Sequence, residues 1–180
     1  MYFAALLART EDGWEASDTE LDDVETLSDL TDLAREAAAE ASGSEDETVL
    51  VFIEQEDAWF GVVRVDGEDD PRIYVSDAAA AARSAYGEIL LTDEMLGRDP
   101  DDGADDLDAL DLDGTEDGED ESGDDEADSG DAVPAGPLGD RQLLSDLGVS
   151  EKELLALESG DALNEIADVL GAAEVLEAVR

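Results

Sequence analysis

The chain has 180 residues and sets 54 Asp and Glu against 9 Lys and Arg, a formal net charge of -45. That balance excludes direct binding of nucleic acid or an anionic membrane by counterion release, because both need Lys and Arg to neutralise phosphates and only one Lys is present. The absence of Cys and His removes disulfides, thiolate metal sites, the usual general base and the Ser-His-Asp arrangement.

The acid is not confined to a tail. Residues 1–92 carry 24 acids and 5 Arg, residues 93–138 carry 20 acids and Arg98, and residues 139–180 carry 10 acids and 3 bases. The segments expected to fold are therefore acidic as well, and self-repulsion should make stability rise with salt.

Tyr2 to Ala8 is a continuous apolar run that reads as a buried strand, with Trp14 to Leu21 as its partner across the turn Glu11-Asp12-Gly13. The run is too short for a signal h-region or a membrane span and lacks a basic n-region, so a cytoplasmic location is expected. Leu27, Leu30, Leu33, Ala34, Ala37 and Ala38 fall at helical spacing behind Thr26, an N-cap with Asp29 three residues on; the helix should run from about 27 to 41. Thr48 to Ile53 has the β-branched and aromatic make-up of a central strand. Ala58 to Val65 forms a hairpin with it, and Arg72 to Val75 completes a three-strand meander. Ser76 is expected to cap a helix, with Asp77 in its first turn where the dipole favours a carboxylate, through Ala78 to Ala85 and on toward Leu91, with Gly87 as an expected interruption.

From Thr92 the composition turns to Asp, Glu, Gly and Ser, which cannot offset the entropy of ordering; residues 93–138 read as a disordered acidic linker closed by Pro134-Ala135-Gly136-Pro137. Residues 139–180 return to punctuated helices. Gly148 stops one segment, Ser150-Glu151-Lys152-Glu153 is a capping box, and Gly160-Asp161 restarts a helix bearing Leu163, Ile166, Val169 and Leu170. About 40 residues without disulfide or metal are close to the lower limit for independent folding, so this unit is expected to dock on the first domain or on a partner. The predicted class is α+β: an antiparallel-dominated sheet with two flanking helices over 1–92, the linker 93–138, and a small all-helical unit over 139–180.

Asp113, Asp117 and Asp124 fit positions 1, 5 and 12 of an EF-hand frame, but Thr115 holds position 3 and no flanking helices are evident, so solvated acid is the better reading and no metal or other cofactor is expected. Ser150 and Lys152 are explained by the helix cap rather than by a Ser-Lys dyad. No nucleophile, base and orienter can be assembled, and no enzymatic role is expected. The sparse cations are more informative. Arg64, Arg72 and Arg83 are interleaved with Trp59, Phe60, Tyr74 and Tyr86; neutralisation of neighbouring acids and core aromatics is the bland account. On a strand, however, Trp59 and Phe60 point to opposite faces, and one of them leaves the main core unless both faces are covered. Trp59, Arg64, Arg72, Arg83 and Tyr86 are accordingly the candidate partner-binding residues.

Trp59-Phe60-Gly61-Val62-Val63-Arg64-Val65-Asp66, Arg72-Ile73-Tyr74-Val75-Ser76-Asp77 and Ala81-Ala82-Arg83-Ser84-Ala85-Tyr86-Gly87-Glu88, with the opening Tyr2-Phe3-Ala4-Ala5 and the Leu-rich closing helices, resemble the actinobacterial tRNA adenosine deaminase-associated proteins. That label reflects gene proximity to a tRNA adenosine deaminase and brings no activity with it. The deaminase itself would need His and Cys zinc ligands and a general-acid Glu. The resemblance implies a non-catalytic accessory protein that binds a basic protein partner, with a tRNA adenosine deaminase as the candidate. The alternative is a salt-adapted structural or interaction protein whose charge reflects a high-salt cytoplasm.

Overall fold

Uninterrupted apolar strands are the mark of a sheet covered on both faces, and the computed structural model, which describes residues 2–18, 21–43, 47–55, 58–96 and 133–180, has that arrangement. The strands β1 (Tyr2–Thr10), β2 (Gly13–Asp18), β3 (Thr48–Gln55), β4 (Trp59–Asp66), β5 (Arg72–Val75) and β6 (Leu138–Gly139) form one antiparallel sheet in the order β2-β1-β3-β4-β5-β6. Strand alternation divides its side chains between two cores. Leu6, Ala8, Val49, Val51, Ile53, Trp59, Val63, Val65, Ile73 and Val75 face one way. Ala5, Leu7, Leu50, Phe52, Phe60, Val62 and Tyr74 face the other.

The first face is closed by three helices: α1 (Leu27–Ser42), α2 (Ala78–Ala81) and α3 (Ala85–Leu90). Helix α1 begins at the expected capping box, with the Thr26 hydroxyl accepting from the Asp29 amide and the Asp29 carboxylate accepting from the Thr26 amide. It ends at Gly43, whose φ of 72° is the left-handed C-cap geometry that favours glycine. The segment expected to be one helix from Ala78 toward Leu91 is two, and Asp77, accepting from the Ala80 amide, caps the first in place of Ser76. The break falls at Ala82–Ser84, where Ser84 caps α3, and not at Gly87. Gly87 instead permits a close approach. A Cβ there would lie 2.0 Å from the Ala81 carbonyl oxygen, so only glycine lets α3 close against the end of α2.

The second face is closed by α4 (Glu151–Ala156), α5 (Ala162–Leu170) and α6 (Ala173–Val179), preceded by a 3₁₀ turn at Ser145–Leu147. Leu143, Leu144, Val149, Leu154, Leu163, Ile166 and Leu176 pack into one cluster with Phe52, Phe60 and Tyr74 of the sheet. The C-terminal helices thus dock on the first domain, one of the two fates expected for them. Two ionic contacts pin the layer. Buried Glu54 accepts from Arg180 at 3.0 and 3.2 Å, and that guanidinium also lies 5.1 Å from the centre of the Phe3 ring. At the other end, Arg64 reaches the Leu143 carbonyl and the Asp146 carboxylate.

Composition placed both margins of the linker too far out. Met95 and Leu96 pack on the α1-side core, as does Val133. The Ala78 amide donates to the Gly136 carbonyl, and Leu138 and Gly139 pair with Val75 and Tyr74 as the sixth strand. Residues 93–96 and 133–138 therefore belong to the folded body. The rest of the expected linker, with the EF-hand-like Asp113, Asp117 and Asp124, lies outside the described residues. No described helix is long and apolar enough to cross a membrane.

Candidate functional site

The five residues singled out by sequence occupy four different environments. Trp59 is fully buried, and its indole N–H donates to Gln55 Oε1 at 2.9 Å, a bond that satisfies the one polar atom of an otherwise apolar side chain. Phe60 is equally buried on the opposite face. Both faces are covered, so the premise that made Trp59 a surface contact fails and Trp59 belongs to the core.

Arg64 is corrected in the same way. It is 6% exposed and serves as the centre of a charge network: Nε donates to Asp66 at 2.8 Å, Nη2 to Asp146 at 2.9 Å and Nη1 to the Leu143 carbonyl at 2.7 Å. Arg72 adds a bond to Asp66 at 3.0 Å and an ion pair with Asp140 at 3.8 Å, and Thr48 donates to Asp66 at 2.6 Å. Hydrogen bonding to Asp146 outweighs burial in holding the Arg64 guanidinium above its ordinary pKa. Burial opposes ionisation of Asp66, but the bonds from Thr48, Arg72 and Arg64 prevail and hold its carboxyl below the usual range. For Arg64 and Arg72 the account by neighbouring acids describes what is seen, with a long-range element: Asp140 and Asp146 come from the C-terminal segment.

Tyr86 stands half-buried on the α1 side, edge-on to Tyr2 with ring centres 4.7 Å apart, while the Tyr2 hydroxyl bonds Ser84 Oγ at 2.6 Å. Burial, then the charge of Asp22, pushes the Tyr86 phenol above its usual pKa. The two rings border a hollow of about 270 Å³ with Asp18, Leu21, Asp22 and Ile53. Arg83 is exposed on the short connection between α2 and α3. Of the five candidates, Arg83 and Tyr86 are accessible at this edge, and Arg72 is exposed beside the charge network on the other face.

A second concavity lies in the C-terminal layer. Helices α4 and α5 line a groove of about 390 Å³, floored by the buried Val149 and Ile166, walled by Ala156, Leu157 and Val169, and rimmed by Glu153, Glu165 and Asp168. Val169 is 49% exposed, one of three large apolar side chains so exposed among the described residues, with Tyr2 and Leu155. A signal for it was present in the sequence. The buried stripe of α5 is Ala162, Leu163, Ile166 and Ala167, and Val169 is an apolar residue off that stripe. Among the described residues no group of three or more His, Cys, Asp or Glu is arranged to hold a metal ion.

The fold and surface define the class as an acidic α+β protein whose antiparallel sheet carries a helical layer on each face. Comparison with known families gives the particular case: residues 2–173 match the model of the Rv3753c-like tRNA adenosine deaminase-associated proteins, and the chain belongs to that family. No curated protein and no solved structure matches it.

Proposed function

We propose that this chain is a non-catalytic accessory protein that binds the basic, tRNA-facing surface of a tRNA adenosine deaminase. The observation that carries the reading is the match of nearly the whole chain to a family described by its association with that enzyme, in a molecule whose charge of -45 suits it to a cationic partner. A deaminase must present Lys and Arg to tRNA, and an acidic protein competes for or shields such a surface. The same charge disfavours direct contact with tRNA or membrane, and the cytoplasm, where tRNA is modified, is the compartment this function requires.

The test is association of the purified chain with a purified tRNA adenosine deaminase of the same organism, at about 50, 150 and 500 mM salt, with tRNA as competitor. Electrostatic steering predicts an on-rate that falls steeply over that range, and tRNA should displace the chain. Failure to associate at the two lower salts would sink the proposal.

One observation favours a second reading. Exposed acids also cover the outside of α1, at Asp29, Asp32, Glu36 and Glu40, far more widely than one interface needs. Such a distribution suits a salt-adapted interaction protein, and an equally acidic composition in unrelated proteins of the same organism would support it.

A further inference from the structure

We infer that the groove between α4 and α5 is the docking site for a partner segment that inserts one apolar side chain and flanks it with Lys or Arg; the identity of the partner, though not the groove's chemistry, rests on the proposed function above. Three features specify that occupant. The floor and walls are apolar, supplied by Val149, Ile166, Leu157, Ala156 and Val169, and a segment that fills them removes the half-exposed Val169 from water. The rim is entirely anionic: Glu153, Glu165 and Asp168.

The third feature is local. Glu153 and Glu165 are accounted for within the helices, Glu153 by the capping box with Ser150, which keeps its carboxyl below the usual pKa, and Glu165 by its place in the first turn of α5. Asp168 sits at the other end of α5, where the helix dipole opposes a carboxylate. Its charge gains nothing from the helix and is placed to meet a cation across the groove. Other occupants fit poorly. A second copy brings another charge of -45, and residues 93–138 of this chain offer one Arg among 20 acids.

The experiment compares two double variants that change net charge equally at exposed positions. E165K/D168K alters the groove rim, and E36K/E40K alters α1 on the opposite face. A third variant, Val169→Ser, removes the apolar wall without changing charge. Affinity for the purified deaminase is measured at about 150 mM salt for each full-length chain, with folding checked by thermal unfolding. The groove predicts a loss of about tenfold or more for E165K/D168K, about tenfold for Val169→Ser through a faster off-rate, and a several-fold smaller change for E36K/E40K. Equal losses in the two charge variants, with Val169→Ser neutral, would overturn the groove and leave the partner standing.

A deaminase that does not bind the unaltered chain removes the partner reading, and the groove is then decided by a probe. A fluorescent peptide with one central Leu flanked on both sides by Lys should shift the methyl signals of Val149, Ile166 and Val169 and discriminate the variants in the same order. Methyl shifts elsewhere, or equal weakening by both charge variants, would overturn it.

Discussion

Trp59 shows how a single residue changes meaning when a second layer is placed over a sheet. As an aromatic on a strand with one open face it would be a natural anchor for a partner; between the sheet and its helices, with its N–H already bonded to Gln55, it is a large part of the core. Trp59→Ala should therefore destabilise the fold by about 3–5 kcal/mol, read as a lower denaturant midpoint, and should change partner binding only through the fraction unfolded. A variant of unchanged stability would remove Trp59 from the core. Arg64 invites a different measurement, because its acidic partners titrate. The guanidinium bond holds the Asp146 carboxyl below its ordinary pKa against a smaller opposing effect of burial. A carboxyl depressed in the folded state stabilises above its unfolded pKa of about 3.9, and that contribution is lost as pH falls through the folded value. Asp146→Asn should thus be less stable than the unaltered chain at neutral pH, and the gap should close below about pH 4. A gap unchanged down to pH 2 would mean that the Asp146 charge is not what Arg64 holds.

At the scale of elements, the parts readable from sequence were those whose cause is local. The Thr26 and Ser150 capping boxes, the β-branched run at Thr48, and the turn at Gly13 each arise from a few neighbouring residues, and each appears where expected. What sequence did not disclose depends on distant chain. The break between α2 and α3 is the exception, since Ala81 and Gly87 meet across only six positions, and Ala82-Arg83-Ser84 contains no Pro or Gly to announce it. The two-residue strand β6 is too short to carry a period, and exists because Tyr74 and Val75 offer an edge. The candidate site was hidden for the same reason: Arg64 and Asp146 are 82 residues apart in sequence, and the groove needs α4 and α5 to be placed before it has walls. One substitution tests the β6 junction. Gly139 has φ of 104°, and a Cβ on it would meet the Ile73 carbonyl oxygen at 2.1 Å. Gly139→Ala should cost about 1–3 kcal/mol from the positive φ and the clash together, measured by denaturant unfolding, and a neutral result would show that β6 does not form.

At the scale of the whole molecule, the two halves share one core across the sheet although 36 residues of chain outside the described set lie between Leu96 and Val133. A protease site inserted at position 115 and then cut should leave a complex of 1–115 and 116–180 that elutes as one species and melts cooperatively, since Ala5, Leu7, Phe52 and Phe60 would otherwise face water. Two independently eluting fragments would mean that the layers are separate domains. The charge makes the opposite demand on the same body. Fifty-four acids against nine bases repel one another more strongly in the compact state than in the unfolded chain, while the exposed ion pairs that salt would weaken are each worth about 0–1 kcal/mol. Repulsion wins, so the melting temperature should rise from about 10 mM to about 150 mM salt as the Debye length shrinks from about 30 to about 8 Å. By about 0.5 M the screening is nearly complete and the curve should flatten, with sodium and potassium chloride equivalent. Partner association should weaken over the same interval, so stability and binding are expected to move in opposite directions. A melting temperature that falls with salt would refute the dominance of repulsion. One that continues to climb toward molar salt, in a chain that binds no deaminase, would favour the salt-adapted reading over the accessory one.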